Sequence, residues 1–260
     1  MPPIEDVIKN VLDETEIKHD IRIISAVESG SRGWGFASPD SDFDCRFVYL
    51  HQQDWYLSVE EGPDFIEYPV DKVFDINGWD LKKALKQIRK SIPVLTEWLF
   101  SPIIYRENKA CADSLRSLAS DYFYPITACC HYLNLANKSL APIRELPQAK
   151  LKKYFYVLRP LACCQYILLY QGIPPMEYAK TISALPVEAA IMELIEELLA
   201  LKKTSDESYL INKIPLLCEY MESSLLESEA AVKALKGDKN KDISPVNDCF
   251  REILKRAWAI

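Results

Sequence analysis

The hydrophobic pattern of the chain changes near residue 108, and this change constrains the fold more than any other feature. Before that point, short β-branched runs alternate with helical repeats. After it, apolar residues recur at helical spacing almost to the end of the chain. The pattern predicts an α+β protein with a mixed sheet and helices over residues 1–108, followed by an all-helical domain over residues 109–260.

Local signals predict the individual elements. The expected strands span residues 21–27, 43–50, 65–68 and 72–76. Asp80 is expected to cap a helix over residues 81–89. The other expected helices span residues 4–14, 93–100, 126–140, 149–170, 187–202, 206–235 and 246–258.

Composition narrows the functional classes. With 260 residues, of which 49% are hydrophobic, the chain can bury a full core. A net charge of −7 argues against a broad basic surface that coats nucleic acid. The eight cysteines show no zinc-binding spacing, so we expect reduced, buried thiols. No signal peptide or membrane-length apolar run is recognisable, so we expect a cytoplasmic protein.

Glycine is scarce, yet three of the seven glycines lie close together directly after the first predicted strand, at Gly30, Gly33 and Gly35. A strand running into Gly30-Ser31-Arg32 indicates a tight turn into a short helix. Its backbone N–H groups and the Ser31 hydroxyl can hold a phosphate. A purely structural turn is the alternative interpretation of this segment.

Two carboxylates at the start of the next predicted strand strengthen the phosphate interpretation. Side chains alternate along a strand, so Asp42 and Asp44 project to one face, about 7 Å apart. Such a pair can share a divalent ion, and hard carboxylate oxygens select Mg²⁺ or Mn²⁺. An Asp-rich turn that only caps a loop is the competing interpretation.

Together these motifs resemble a known signature. Gly30-Ser31, ten intervening residues and Asp42-x-Asp44 are similar to the motif of the DNA polymerase beta superfamily of nucleotidyltransferases. The string over residues 28–44 resembles more narrowly a bacterial and phage nucleotidyltransferase family associated with RNA repair. The stretches 75–83 and 152–160 extend the likeness, which reaches about residue 180.

The resemblance implies a polymerase beta palm-like catalytic domain and a third carboxylate on a neighbouring strand. Asp75 is the preferred candidate, with Glu67 and Asp71 as rivals. By the same likeness, Asp42 and Asp44 hold the ion that accompanies the triphosphate, while Asp44 and Asp75 help to hold a second ion. Phosphate contacts are implied for Gly30, Ser31 and Arg32.

A polar stripe on the predicted helix 149–170 is the second candidate for nucleotide binding. Lys152, Tyr156 and Arg159 share one face, opposite an apolar face, and Lys153 is a rival to Lys152. The resemblance implies that the helical domain closes the nucleotide site and supplies a lysine and a tyrosine. A solvated charged face is the simpler interpretation of the same pattern.

The expected activity is therefore transfer of a nucleoside monophosphate from a nucleoside triphosphate, with ATP as the expected donor, to an acceptor hydroxyl. RNA 3′ ends are the first expectation for the acceptor, followed by small molecules and protein hydroxyls. No membrane partner is expected, and the sequence leaves the oligomeric state open. The alternative is a non-catalytic or antitoxin-like protein that keeps this fold to act on or bind a protein partner.

Overall fold

The computed structural model describes residues 3–69, 73–240 and 242–258. Its strands are β1 (Ile21–Glu28), β2 (Phe43–His51), β3 (Phe65–Glu67), β4 (Phe74–Asp80), β5 (Ile104–Glu107), β6 (Gln148–Lys150) and β7 (Leu210–Asn212). Its helices are α1 (Ile4–His19), α2 (Gly30–Gly33), α3 (Gln53–Tyr56), α4 (Leu81–Lys90), α5 (Pro93–Leu99), α6 (Lys109–Asp121), α7 (Pro125–Glu145), α8 (Leu151–Tyr170), α9 (Tyr178–Ser183), α10 (Ala189–Thr204), α11 (Pro215–Ala234) and α12 (Ser244–Trp258).

The chain divides into two compact units. Unit 1 comprises Met1–Gly30, Asp42–Tyr122 and Asn240–Ile260, and unit 2 comprises Ser31–Ser41 and Phe123–Lys239. These ranges differ from the predicted ranges 1–108 and 109–260, because α6 and α12 lie in unit 1 and the glycine-rich segment enters unit 2. The assignment of catalytic and closing domains to the predicted ranges stays a prediction.

Unit 1 is built on a five-stranded sheet in the order β3-β4-β2-β1-β5. β2 and β4 pair in parallel, and the other neighbours are antiparallel. Ile8 and Leu12 of α1 pack on one face of the sheet. Side chains of α4, α5, α6 and α12 cover the other face, around Ile24 and Val48. Because both faces are covered, the interior strand β1 is buried at every position except Arg22 rather than alternating.

Unit 2 is a helical assembly around α8. This helix is buried along most of its length and contacts α7, α9, α10 and α11. The predicted apolar face of α8 lies in the core, with Phe155 fully buried. Phe36 from the glycine-rich segment stacks on Phe155 with 5.1 Å between ring centroids. The short strands β6 and β7 form a separate antiparallel pair.

The predicted fold class is confirmed, since a mixed sheet is followed by helices, but several element bounds were wrong. The predicted helix 206–235 is instead β7, which pairs with β6, followed by α11, which begins at Pro215. Proline fits the first position of a helix, where its missing N–H has no partner to lose. Strand β5 and helix α6 were not predicted.

The strand expected over residues 72–76 lies further along the chain, and its first residue is outside the described residues. β4 runs from Phe74 to Asp80 and passes through Gly78. A Cβ at Gly78 would lie 2.2 Å from the Phe47 ring, so glycine here allows that ring to pack across the sheet. Asp80 caps α4 as predicted, accepting a hydrogen bond from the Lys82 amide at 2.7 Å.

Two further expectations concern the chain as a whole. All eight cysteines lie within the described residues and carry free thiols, and Cys130 is the exposed one among them. Within the described ranges, no helix combines the length and apolar character that crossing a membrane requires.

Candidate active site

Gly30 lies at the end of β1, where the backbone turns into α2. Its φ of +57° is in the left-handed region, which favours glycine. A Cβ at this position would lie 1.9 Å from Asp44 Oδ2. The absence of a side chain therefore lets the Gly30 backbone approach the Asp44 carboxylate closely.

Asp44 and Asp75 lie on adjacent parallel strands and are directly in register. Arg46, two residues further along β2, projects from the same face as Asp44. Its Nη2 donates to Asp44 Oδ1 at 2.9 Å and to Asp75 Oδ2 at 2.6 Å. The structure thus brings together two of the three predicted carboxylates, with a guanidinium between them.

Burial and the neighbouring charges shift the pKa of Asp44. The pKa of Asp44 is raised to about 6, chiefly by burial and also by the charges of Asp42 and Asp75, while Arg46 opposes the increase. Asp42 itself is exposed, just before β2 begins. Asp44 therefore interacts electrostatically with both Asp42 and Asp75.

Glu67 and Asp71 were the rival candidates for the third carboxylate. Glu67 is exposed on β3 and pairs with Asn77 of β4, rather than with Asp44 of β2. Asp71 lies outside the described residues. Asp75 is thus the candidate whose strand position matches that of Asp44.

Glu28 is a buried carboxylate that sequence analysis missed. It is fully buried at the end of β1, and its Oε1 accepts a hydrogen bond from the Asp44 amide at 2.9 Å. Its Oε2 accepts from the Tyr105 hydroxyl, and the Ser29 amide donates to the Asp44 carbonyl at 2.8 Å. These bonds fix the backbone of Asp44. A lone acidic residue ending an otherwise apolar strand was the available signal.

The donor chemistry of this cluster fits Mg²⁺ or Mn²⁺. Carboxylate oxygens are the hard ligands that these ions prefer, and the Arg46 guanidinium shows that a cation is stabilised between Asp44 and Asp75. Among the residues described, however, no three His, Cys, Asp or Glu side chains converge as a metal-binding group. Asp42, Asp44 and Asp75 are the side chains that would hold such an ion.

In unit 2, Ser31 and Arg32 begin a compact loop that runs to Ser41. Ser31 is buried, and its carbonyl accepts a hydrogen bond from the Phe36 amide at 3.0 Å. The Arg32 guanidinium donates to the Ser41 carbonyl at 2.6 Å. Arg32 therefore has a structural role that closes the loop.

The predicted stripe on α8 meets this loop through Trp34. The Arg159 guanidinium lies 4.2 Å from the centroid of the Trp34 ring, and Arg159 is only 4% exposed. The Tyr156 ring meets Trp34 edge-on at 6.2 Å, and the Lys153 ammonium lies 5.5 Å from the Tyr156 centroid. Three of the predicted α8 residues thus form one cluster with the glycine-rich segment.

Lys152 belongs to a second contact network in unit 2. Its ammonium pairs with Glu207 Oε2 at 3.1 Å, and Glu207 Oε1 pairs with the buried ammonium of Lys202 at 2.7 Å. The Ser41 hydroxyl donates to Glu207 Oε1 at 2.5 Å, and Lys202 contacts the Ser38 hydroxyl.

The same network lowers the pKa of Glu207. Burial alone would raise its pKa, but hydrogen bonds from Lys202, Ser41 and Lys152 lower it to about 2. Sequence analysis missed Lys202 and Glu207, because both resemble ordinary charges near a helix end.

The family comparison agrees with the motifs. The model of the RNA repair pathway DNA polymerase beta family matches residues 4–252. The uncharacterized protein YcgL of Bacillus subtilis is 37% identical over 253 residues, covering 96% of this chain and 97% of that protein. A crystal structure of a nucleotidyltransferase-like protein from Exiguobacterium sibiricum is 10% identical, with 98% of this chain and 80% of that chain covered, at a TM-score of 0.31.

The motifs and the family match define a nucleotidyltransferase-type protein of the polymerase beta kind. The chain belongs to the RNA repair pathway DNA polymerase beta family, as the match extends over nearly its whole length. This confirms the resemblance inferred from residues 28–44.

Proposed function

We propose that this chain is a metal-dependent nucleotidyltransferase that transfers a nucleoside monophosphate from a nucleoside triphosphate to an acceptor hydroxyl. The main structural support for this proposal is that Asp44 lies against Gly30 and in register with Asp75. Asp44 thereby adjoins a backbone segment without a side chain, of the kind that phosphate oxygens can approach closely, and Asp75 lies next to Asp44 on the neighbouring strand. Family membership supports the same proposal.

The proposed reaction is an in-line displacement at the α-phosphorus. The acceptor oxygen forms a bond to the α-phosphorus, and the bond from the α-phosphorus to the oxygen bridging it to the β-phosphorus breaks. Pyrophosphate leaves with the electrons of the broken bond, and the hydroxyl proton passes to solvent. The protein contributes mainly by positioning both reactants.

Asp42, Asp44 and Asp75 are proposed to hold Mg²⁺ or Mn²⁺. When bound, the ion supplies positive charge that offsets the charge of the triphosphate and of the reacting oxygens. Glu28 acts through the chain itself, because its contact to the Asp44 amide keeps that residue in place. Glu28 is therefore a positioning residue in this proposal.

Side chains of unit 2 are proposed to contact the nucleotide. Ser31 and the amides near Gly30 and Arg32 are assigned to the β- and γ-phosphates. The positive and aromatic side chains on α8 support a role toward a triphosphate or base, since Lys153, Tyr156 and Arg159 form a cluster with Trp34. The residues assigned to this role are Lys152, Lys153, Tyr156 and Arg159.

RNA 3′ hydroxyls are the proposed acceptor, and ATP is the proposed donor, in the cytoplasm. The family's description as part of an RNA repair pathway supports this acceptor. A small-molecule hydroxyl and a protein hydroxyl are the other acceptors to be tested.

An acceptor-panel assay tests the proposal. The protein is incubated with each α-labelled nucleoside triphosphate, Mg²⁺ or Mn²⁺, and RNA, small-molecule or protein acceptors. We expect metal-dependent labelling of RNA, lost in the double variant Asp42→Asn/Asp44→Asn. The control Asp248→Asn alters an aspartate whose side chain is 71% exposed and should leave labelling unchanged. Labelling that survives in the double variant would exclude this mechanism, and labelling of another acceptor would replace RNA.

A further inference from the structure

Arg46 is a positive charge built into the carboxylate cluster, and the family match does not assign it a role. Its side chain is 14% exposed, so the guanidinium is largely removed from solvent. One nitrogen, Nη2, donates to both Asp44 Oδ1 and Asp75 Oδ2. The guanidinium therefore occupies the place at which the two carboxylates face a common cation.

Backbone carbonyls and the Asn77 side chain also hold Arg46 in that place, independently of the two carboxylates. Its Nη1 donates to the Asp75 carbonyl at 2.6 Å and to the Cys45 carbonyl at 3.2 Å. The amide oxygen of Asn77, assigned by its hydrogen-bond geometry, accepts from Nη1 at 3.2 Å and from Nε at 3.3 Å. Asn77 is in register with Arg46 on β4. Rotating Arg46 away would thus break several contacts at once.

A divalent ion and this guanidinium compete for the same oxygens. Mg²⁺ binds its ligands at about 2.1 Å, and one ion shared by Asp44 Oδ1 and Asp75 Oδ2 would lie where Nη2 lies. Two cations at such short range also repel each other strongly. By contrast, Asp44 Oδ2 lies on the Gly30 side, as shown by the 1.9 Å approach to a Cβ built there.

We propose that Arg46 takes the place of a second metal ion. The guanidinium fixes Asp44 and Asp75 and supplies the positive charge between them, so that the chain binds one divalent ion, through Asp42 and Asp44. This inference rests on the proposed function and refines it, because Asp75 then binds Arg46 instead of the ion. Arg46 is a positioning residue in this scheme, because it acts through the two carboxylates.

Counting bound Mn²⁺ tests this role without measuring activity. Free Mn²⁺ is followed by electron paramagnetic resonance while Mn²⁺ alone is titrated into the full chain. We expect one ion per chain in the wild type, none in Asp42→Asn, and still one in Asp75→Asn. We expect a second ion in Arg46→Gln, whereas Arg46→Lys, which keeps the charge, should bind one. Arg251→Gln alters an exposed arginine and should match the wild type.

Several results would overturn this role. Two ions in the wild type, with one lost in Asp75→Asn, would show that a metal rather than Arg46 lies between the carboxylates. An unchanged count in folded Arg46→Gln would show that Arg46 does not exclude a second ion. If that variant does not fold, the Mn²⁺ counts of the wild type and of Asp75→Asn still decide whether a metal ion or Arg46 lies between the carboxylates. If the wild type binds two ions, the role of Arg46 is wrong but nucleotidyl transfer is unaffected. If neither Mn²⁺ binding nor label transfer is detected, the proposed function is wrong as well.

Discussion

The candidate groups of the two units are held in place by different means. In unit 1, the backbone fixes Asp44 and Asp75, because β2 and β4 pair in register and Glu28 binds the Asp44 amide. In unit 2, side-chain contacts fix Lys152 and Arg159, through Glu207 and Trp34. The backbone positions of Asp44 and Asp75 are therefore expected to tolerate the loss of a side-chain contact better than the positions of Lys152 and Arg159.

Removing the buried ammonium of Lys202 should have the largest effect on stability. In Lys202→Met, Glu207 loses its closest ion-pair partner and Ser38 loses a hydrogen bond, so we expect a loss of about 3 kcal/mol in unfolding free energy. Chemical denaturation measures this loss. Lys203→Met alters the exposed neighbour on α10 and should change stability by less than about 0.5 kcal/mol. Equal effects of the two variants would show that the network does not hold unit 2 in place.

In unit 1, the substitution Gly30→Ala tests the close approach of the Gly30 backbone to Asp44. Both Gly30 and Gly35 have positive φ, but only Gly30 adjoins another residue, since a Cβ at Gly35 would meet nothing within 4 Å. Gly35→Ala should cost about 1 kcal/mol, and Gly30→Ala about 1–2 kcal/mol more. Gly30→Ala should also reduce label transfer roughly 10²-fold by displacing Asp44. Denaturation and transfer assays measure both effects, and matching losses in the two variants would refute the close approach.

The acid sensitivity of Glu207 is expected to be a smaller effect than the losses in Lys202→Met and Gly30→Ala. Its folded pKa of about 2 lies below its ordinary value of 4.5, so its contribution to stability is present above about pH 4.5 and is lost as the pH falls toward 2. The side chain is 23% exposed, so screening reduces this contribution to about 1–2 kcal/mol. Denaturation between pH 5 and pH 3 should show the wild type losing its advantage over Glu207→Gln. A constant difference across that range would contradict the assignment.

The sequence revealed the features of unit 1 that depend on local spacing. The apolar run of β1, the glycine turn and the Asp42-x-Asp44 pair can each be recognised within a few residues. The preference for Asp75 over Glu67 agrees with its register opposite Asp44, although its role stays a prediction.

The features that were missed depend on contacts distant in the chain or on competing local signals. Glu207 meets Ser41 across 166 residues, and no local pattern marks that pair. β7 was taken for part of a helix because the apolar spacing of 206–235 is also helical, and its pairing with β6 overrides that spacing. Arg46 was overlooked because an arginine in a strand resembles a solvated charge until the neighbouring strand is known.

The position of the transferred label tests the central claim most directly. The protein is incubated with RNA and a divalent ion, together with ATP labelled at either the α- or the γ-phosphate. We expect label to reach RNA only from the α-position, with the γ-label released as pyrophosphate, and we expect transfer to fall roughly 10³-fold in Asp44→Asn. Transfer of the γ-label, or α-label transfer undiminished in Asp44→Asn, would contradict nucleotidyl transfer at this carboxylate cluster.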